Sequence, residues 1–381
     1  MPNPGYGVKR EGIGLETGIR RLENPATESV EKNLWKLSIL FYLLTILIAT
    51  LWPFNFWQRN KTSHWPQDGL RLVPPSTVYS AVPAVKLSKI GKFTILVDLT
   101  CEDSGSNGYA RILTYSLDER RRNFTLGQWN DCLVFLLKAS GPARMVHFEV
   151  EGVLKKGVRE WVAVVFDGER LSLYRDGALK GAKRTGPLDF SNWERGYPLV
   201  IGSEGDGKFP WAGRIHSVAI FDRPLKGEEI QSFCGREKQP GHTIDSPLVY
   251  YRFADMQGPT VRDHGIGPRA DLVVPKYFTP YKRSILKTPP NEIRGLWSQK
   301  RDIFLNLLCF IPLGFLLVNF LNSRGFPSPY AILLSIAIGF SLSLTIEILQ
   351  AFLPGRESDL TDLITNTLGT VAGSFLRRTA T

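Results

Sequence analysis

The stretch that decides the fold lies near the C-terminus and contains three apolar segments in close succession. They read DIFLNLLCFIPLGFLLVNFL at residues 302–321, YAILLSIAIGFSLSLTIEILQAF at 330–352 and DLTDLITNTLGTVAGSFL at 359–376. The first two have the length and composition of helices that cross a bilayer, and the third is less apolar. Each segment also carries polar side chains that would be costly to expose to lipid. We therefore predict a helical membrane bundle in which these side chains point inward.

The polar residues follow helical spacing. Asp302 and Asn306 share one helix face, as do Glu347 and Gln350. On the last segment, polar residues and two glycines fall within a single stripe, which indicates an inward face with close helix contact. Antiparallel neighbours would bring these sets to one leaflet. The predicted polar cluster is Asp302, Asn306, Glu347, Gln350, Arg356, Asp359, Asp362 and Asn366, and the predicted packing residues are Pro312, Gly314, Gly369 and Gly373.

Three interpretations of this cluster are open from the sequence. The first is structural, with polar groups bonding between helices and Arg356 pairing with Glu347 or Asp359. The second is a polar pocket for a lipid headgroup or a glycopeptide, with Arg356 contacting the anion. The third is a hydrolase or transferase acting on a lipid-linked substrate, with Glu347, Asp359 and Asp362 holding Mg²⁺ or Mn²⁺. No histidine lies near the cluster, so a His-based mechanism is not expected.

The rest of the chain divides by composition. Leu37 to Leu51 is uncharged and ends in an aromatic belt, which predicts a retained first membrane helix. The intervening region is mixed in polarity and reads as a soluble insert. The predicted layout is a disordered cytoplasmic tail at 1–33, a membrane helix at 34–57, a linker at 58–84, a β-sandwich at 85–280, a linker at 281–301 and three membrane helices at 302–378.

The soluble insert has the sequence pattern of an all-β sandwich. Short segments rich in β-branched and aromatic residues alternate with turn signals. The clearest pair is Trp161–Phe166 and Leu171–Arg175, separated by the Asp167-Gly168 turn signal. A later segment, Leu248–Phe253, would complete the sandwich from its C-terminal side. The fold class predicted for the whole chain is thus a four-helix membrane bundle plus an all-β sandwich.

Charge and cysteine content limit the function classes. The formal net charge is +11, but the basic residues are scattered and many flank apolar segments, so no nucleic-acid partner is expected. The four cysteines form no CxxC pair, which argues against a zinc site. Cys101 and Cys132 could pair in an oxidising compartment. No cofactor is expected, except that the loop from Ser203 to Gly207 could bind Ca²⁺; a plain turn is the alternative.

Two families match ordered motifs of the sequence. The series Trp161…Asp167-Gly168…Asp176-Gly177, followed by Gly213-Arg214-Ile215 and Val218–Phe221, resembles the LamG-type concanavalin A-like jelly roll. The series Asp302…Asn306…Pro312-Leu-Gly314…Glu347…Gln350…Pro354-Gly-Arg356…Asp359…Asp362…Asn366…Gly369…Gly373 resembles the VanZ-like membrane proteins. The first-helix end, Leu51–Phe56, is also similar to that family. This chain departs from a minimal VanZ-like protein by its large insert.

These resemblances imply a function. A VanZ-like protein implies a link to glycopeptide resistance of the teicoplanin type, and a LamG-like domain implies binding to glycans or proteins. We therefore expect a non-enzymatic bacterial envelope protein whose partners are membrane lipids and cell-wall or glycan components. The charge distribution around the helices favours a multi-pass protein of the cytoplasmic (inner) membrane with its β-domain outside the cytoplasm.

Overall fold

The structure, a computed structural model, describes residues 25–103, 109–141, 145–236, 246–283, 285–288, 296–353, 356 and 358–376. The chain forms two compact units. One comprises residues 1–49, 292–344 and 361–381, and the other residues 50–291 and 345–360. Residues 1–24 of the predicted tail, residues 289–295 of the predicted linker at 281–301, and residues 354–355 lie outside the described residues.

The described residues contain five α-helices. These are α1 Pro25–Leu51, α2 Gly227–Arg236, α3 Leu296–Ser323, α4 Ser328–Gln350 and α5 Leu360–Phe375. Three stretches of them are long and apolar enough to cross a membrane, namely Asn33–Leu51, Lys300–Ser323 and Ser328–Gln350. The helix α5 has only 16 residues. The expected count of four spanning helices is therefore corrected to three spans and a shorter fourth helix, because a full span needs about 20 residues.

The first helix differs from its predicted bounds at both ends. It begins at Pro25, inside the range expected to be a disordered tail, and it ends at Leu51 rather than Trp57. Residue 25 is also the first residue that the structure describes. Pro53 cannot donate the N–H that would continue the helix beyond Leu51, so this proline accounts for the end of the helix.

The described residues of the β-unit form two eight-stranded antiparallel sheets. Sheet 1 has the strand order β1-β2-β13-β4-β9-β10-β11, with β14 also paired to β13, and sheet 2 has the order β15-β16-β3-β12-β5-β6-β7-β8. The strands are β1 Thr62–Trp65, β2 Gly69–Leu72, β3 Val78–Ser80, β4 Phe93–Cys101, β5 Ala110–Ser116, β6 Arg122–Trp129, β7 Cys132–Lys138, β8 Met145–Val150, β9 Arg159–Phe166, β10 Arg170–Arg175, β11 Ala178–Arg184, β12 Leu199–Ile201, β13 Gly213–Phe221, β14 Val249–Arg252, β15 Thr260–Val261 and β16 Leu272–Val273.

Alternating side chains build the core between the sheets. In β4, Ile95, Val97 and Leu99 are buried in the main apolar cluster, while Leu96 belongs to a second cluster on the opposite face. Period-two alternation of this kind places one side of each strand toward the partner sheet. The all-β sandwich predicted from the sequence is confirmed, including the β9–β10 hairpin, in which Phe166 pairs with Leu171.

The sandwich is larger than the range expected for it. Strands β1, β2 and β3 lie in the 58–84 range, which the sequence suggested was a linker. Leu70 and Leu72 of β2 are buried, and Leu70 pairs with Ile215 of β13. The Pro and Gly residues that suggested a linker are found between very short strands, where turn residues are common.

The C-terminal end of the sandwich is tied in by a buried ion pair. Lys86, in a single 3-10 turn at Val85–Lys89, lies 2.6 Å from Asp263 through its Nζ atom and the Oδ2 atom. The Asp263 side chain also accepts the backbone N–H groups of Tyr250, Gly265 and Ala270, at 3.1, 2.9 and 3.1 Å. Both side chains are almost fully buried, so this carboxylate holds β14 and the loop after β15 in place.

Candidate functional site

The outer face of sheet 1 is divided into an apolar half and a polar half. The helix α2 covers the apolar half, where Ile230 is buried and Phe233 packs edge-on against Trp161, with ring centroids 5.8 Å apart. Leu96 and Val165 contribute to the same cluster from β4 and β9. The helix α2 does not cover the polar half. There the neighbouring strands β13, β4 and β9 carry ionisable side chains.

An aspartate within a buried strand organises the polar half. Asp98 of β4 is fully buried, and its carboxylate is engaged by Arg159 of β9, with Nε 3.0 Å from Oδ1. The Arg159 side chain is itself 52% exposed, so the ion pair joins a buried carboxylate to a guanidinium group that reaches solvent. On the other side, Thr100 Oγ1 lies 3.2 Å from Nε2 of His216. A charge in this position requires its partner, because an unpaired buried carboxylate is costly.

A second ion-pair network extends this polar surface across β2 and β13. Glu102 contacts Arg71 at 2.8 Å and Arg214 at 2.9 Å. Arg214 also pairs with Asp68. The result is a surface on which cationic and anionic groups alternate, rather than a patch of one sign.

The pocket beside α2 lies on this polar half. It encloses about 720 Å³, within the size range of small-ligand sites. Its charged lining side chains are Arg159, Arg252 and Asp176. The remaining lining residues are Gln67, Gly69, Trp161, His216, Gln231, Cys234, Gly235 and Ala254. Guanidinium, carboxylate and amide groups around one concavity provide both donors and acceptors of hydrogen bonds.

The pocket was not found from the sequence, although one signal for it exists. Asp98 interrupts the apolar run of β4, and a charge inside a buried strand is a marker of a specific partner. Its partner Arg159 is 61 positions away along the chain, and pairing between β4 and β9 sets their registers side by side. Sequence spacing cannot supply that register.

His216 makes the stability of the β-unit depend on pH. Burial, together with Arg159 and Arg214, lowers the pKa of His216 from its ordinary value of 6.5 to about 4. Between these values the unfolded chain binds a proton that the folded chain does not, so stability falls as pH drops from 6.5 toward 4. We expect His216→Gln to flatten this decline, measured as the urea midpoint at pH 4.5, 5.5 and 7. Equal slopes for the variant and the parent would contradict this assignment.

Four residues of the predicted membrane cluster are described within the β-unit. Glu347 is buried, and its Oε2 atom accepts the backbone N–H of Asp359 at 2.8 Å. Gln350 donates to the carbonyl oxygen of Thr50 at 3.1 Å, and Arg356 donates to that of Trp52 at 3.4 Å. These contacts anchor the end of α4 and the following loop to the last turn of α1 and to the residue that follows it.

The loop before α5 also pairs with the β-unit. Lys287 and Asp359 form an isolated parallel β-bridge, and the backbone N–H of Lys287 donates to the carbonyl oxygen of Ser358 at 2.9 Å. Arg283 lies over the ring of Phe352, 4.3 Å from its centroid. Both backbone and side-chain contacts thereby join residues 345–360 to residues 283–287 of the β-unit.

The other four cluster residues lie in the helical unit. Asp302 is exposed, and Asn306 and Asp362 are half-buried. Asn366 is buried and donates to Ser343 Oγ at 3.0 Å, which joins α5 to α4. Since the eight residues are divided between two units, their convergence into one cluster stays a prediction.

The glycines predicted to pack helices lie at close approaches. Gly314 faces Thr370, Gly369 faces Leu307, and Gly373 faces Ile311, in each case at a backbone carbonyl oxygen. These contacts pair α3 with α5 so tightly that a Cβ atom would overlap the opposing backbone. Pro312, by contrast, is exposed within α3.

The loop suggested for Ca²⁺ uses its carboxylates internally. Glu204 is buried and pairs with Arg111 at 3.0 Å, and Ser116 donates to its other oxygen. Asp206 pairs with Lys287 at 3.0 Å. Within the described ranges, no group of three or more His, Cys, Asp or Glu side chains could hold a metal ion.

Cys101 and Cys132, which could have formed a disulfide, are not bonded to each other. Both are buried and unpaired. Burial raises the pKa of Cys101 to about 12, so it remains a protonated, unreactive thiol.

These features define a class of protein: helices long and apolar enough to span a membrane, in one chain with an antiparallel β-sandwich. Comparison with family models agrees. Residues 264–380 match the VanZ/LLP1 family, and residues 76–231 match the concanavalin A-like lectin/glucanases superfamily. The chain therefore combines a VanZ-like membrane region with a LamG-type concanavalin A-like domain. The first helix lies outside both matches, so its similarity to a VanZ-like first span stays a prediction.

Solved structures resemble the β-domain at low sequence identity. The CBM40 domain of Ruminococcus gnavus IT-sialidase bound to alpha2,3 sialyllactose has 13% identity and a TM-score of 0.35, covering 44% of this chain and 95% of that one. A putative carbohydrate binding protein from Bacteroides ovatus has 13% identity and a TM-score of 0.39, covering 59% and 62%. At these values the similarity concerns the fold alone. No curated protein matches the sequence.

Proposed function

We propose that this protein displays a carbohydrate-binding β-sandwich at a bacterial membrane through its VanZ-like helices. The observation that carries this proposal is the pocket beside α2, on the polar half of sheet 1. It combines Arg159, Arg252 and Asp176 with the amides of Gln67 and Gln231. Sugars are recognised by such sets of groups because each hydroxyl can both donate and accept a hydrogen bond.

The proposed location is the cytoplasmic membrane, with the β-domain on its outer side. Arg324 follows α3 in the short loop before α4, and Lys32 and Lys36 lie near the start of the first apolar run. Short basic loops favour the cytoplasmic side, whereas a long translocated domain counts little in this rule. Envelope glycans and lipid-linked wall components are the partners this location offers.

Spheroplasts with an intact cytoplasmic membrane test the binding and the location together. We expect spheroplasts that express the full chain to bind labelled peptidoglycan fragments or oligosaccharides without permeabilisation. Gln231→Ala should lower the affinity about tenfold, since a lost hydrogen bond to ligand is worth roughly 1.5 kcal/mol. Fluorescence of cell-bound probe against probe concentration measures both.

The matched control is Gln257→Ala, another exposed glutamine, which does not line the pocket. It should bind as the parent does. Failure of every probe to bind would overturn the glycan proposal. Binding that appears only after permeabilisation would overturn the orientation instead.

The finer part of the proposal is an effect on glycopeptide sensitivity. It is supported by the VanZ-like match, and it requires that the bound component influence how teicoplanin-type drugs reach their wall precursors. A strain lacking the gene, scored for teicoplanin sensitivity, tests this part separately.

A hydrolase or transferase that uses Glu347, Asp359 and Asp362 is the alternative from another class. The described contacts support a structural interpretation of Glu347, since its carboxylate accepts the backbone N–H of Asp359 just before α5. The hydrogen bond between Asn366 and Ser343 likewise joins helices. The binding proposal is therefore the one that the geometry favours.

A further inference from the structure

We infer that the pocket beside α2 takes an uncharged, hydroxyl-rich sugar and discriminates against carboxylated sugars. This inference rests on the proposed function and names the class of its ligand. It follows from which charges around the pocket already have partners and which do not.

Both guanidinium groups of the pocket are matched by carboxylates. Arg159 engages Asp98 through Nε and Nη2, at 3.0 and 2.5 Å. Arg252 lies 3.3 Å from Asp255, between Nη1 and Oδ2. A carboxylated ligand would have to compete with these resident anions, so two arginines here do not amount to an anion site.

The neighbouring cations are matched as well. Arg71 pairs with Glu102, and Arg214 pairs with both Glu102 and Asp68. Thus four described arginines of this face, Arg71, Arg159, Arg214 and Arg252, stand beside four carboxylates, those of Asp68, Asp98, Glu102 and Asp255. Among the residues that the structure describes, these pairs leave no excess of positive charge to attract an acid.

Asp176 adds a further negative charge inside the pocket. One of its oxygens, Oδ1, accepts the backbone N–H of Trp161 at 3.0 Å. Among the described residues Asp176 takes part in no ion pair, and it is exposed. A carboxylate of this kind repels a second carboxylate, whereas it accepts a hydroxyl proton in a charge-assisted hydrogen bond.

The complementary donors are the side-chain amides of Gln67 and Gln231. Both residues line the pocket and both are exposed. Each amide offers two N–H donors and one carbonyl acceptor without net charge. A negatively charged hydrogen-bond acceptor beside neutral amides suits the hydroxyl groups of a neutral pyranose.

Binding to the full-length protein in nanodiscs tests this inference. The probes are glucose and galactose disaccharides, and matched disaccharides that carry glucuronate or galacturonate instead. We expect the neutral probes to bind at least about tenfold more tightly by calorimetry, the equivalent of one charge-assisted hydrogen bond. Equal or tighter binding of the acidic probes would overturn the inference while leaving the proposed function intact. Absence of binding by all four probes would overturn both.

Charge variants give a sharper test. Asp255→Asn leaves Arg252 without its carboxylate, so affinity for the acidic probes should rise several-fold while affinity for the neutral probes stays unchanged. Asp176→Asn should lower the affinity for the neutral probes about tenfold, and it should reduce the ratio of neutral-probe to acidic-probe affinity. The control Asp222→Asn makes the same change in net charge at an exposed residue outside the pocket. If Asp222→Asn raises acidic binding as much as Asp255→Asn does, net charge and not the pocket is responsible, and the inference fails.

Discussion

Replacing Asp263 by alanine is expected to destabilise the β-sandwich by about 3–5 kcal/mol, the largest effect of any single substitution considered for this unit. The carboxylate of Asp263 is fully buried and pairs with Lys86. Its loss leaves an ammonium group in the interior, together with three backbone N–H groups that no longer have their acceptor. A buried donor that loses its partner carries the full cost of its desolvation.

The position of this ion pair in the fold adds to the effect. Asp263 joins the 3-10 turn that contains Lys86 to β14 and to the loop that precedes β16. Strand β14 pairs with β13 of sheet 1, and β16 pairs with β3 of sheet 2. One side chain thus fixes a segment that contributes to both sheets, and its removal should lower the stability of the whole unit.

Urea unfolding of the full chain in detergent, followed by tryptophan fluorescence, measures this effect, because Trp193 and Trp211 are buried in the sandwich. Lys86→Met should cost clearly less than Asp263→Ala, since Asp263 would keep its three N–H donors. The matched control Asp222→Ala removes an exposed carboxylate and should change stability by no more than about 0.5 kcal/mol. A loss below 1 kcal/mol for Asp263→Ala would contradict the assigned role.

In the helical unit, the largest effect is expected from adding a single methyl group at Gly373. A Cβ atom there would overlap the carbonyl oxygen of Ile311, and it would also lie 3.0 Å from the backbone nitrogen of Phe315. Backbone atoms of α3 cannot rotate away as a side chain could. Gly373→Ala should therefore separate α3 from α5 and destabilise the bundle by about 2–3 kcal/mol or more.

Thermal unfolding of the detergent-solubilised protein, read by size-exclusion chromatography after heating, measures this loss. The control is Ala372→Leu, which adds more atoms to the same helix at an exposed position. Its midpoint should match that of the parent chain. Gly314→Ala should resemble Gly373→Ala, because its Cβ would meet the carbonyl oxygen of Thr370 on the opposing helix. Tolerance of both glycine substitutions would show that α3 and α5 do not pack as described.

Local patterns predicted much of this architecture. The β9–β10 hairpin was predicted correctly because Asp167-Gly168 fits a turn between two apolar strands. The spacing of Gly369 and Gly373 puts both on one helix face, and each lies close to a backbone carbonyl oxygen of α3. The linker prediction for 58–84 was wrong in part, since Leu70 and Leu72 form a short buried strand in a Pro- and Gly-rich context. Short strands carry too few residues for alternation to be read.

The candidate binding pocket depended on contacts that no local pattern contains. Arg159, Asp176 and Arg252 come from β9, the turn after β10, and β14, and they line one pocket only because strands far apart in the chain belong to the same sheet. The sequence did identify Glu347 and Asn366 as polar residues of membrane helices. Their partners, the N–H of Asp359 and the hydroxyl of Ser343, were visible only in the folded chain.

Sequence alone specified the kinds of element in this protein: apolar helices at both ends, an antiparallel β-sandwich between them, and glycines where helices meet. Such features follow from periodicity and composition within a few turns or strands, so they are encoded locally. The tertiary structure decided which charges are paired and that α2 covers only half of sheet 1. It also decided that the pocket beside α2 contains Asp176, a carboxylate that forms no ion pair with the described residues. Those outcomes depend on strand order and register, because pairing in space and not proximity in sequence determines which side chains share a surface.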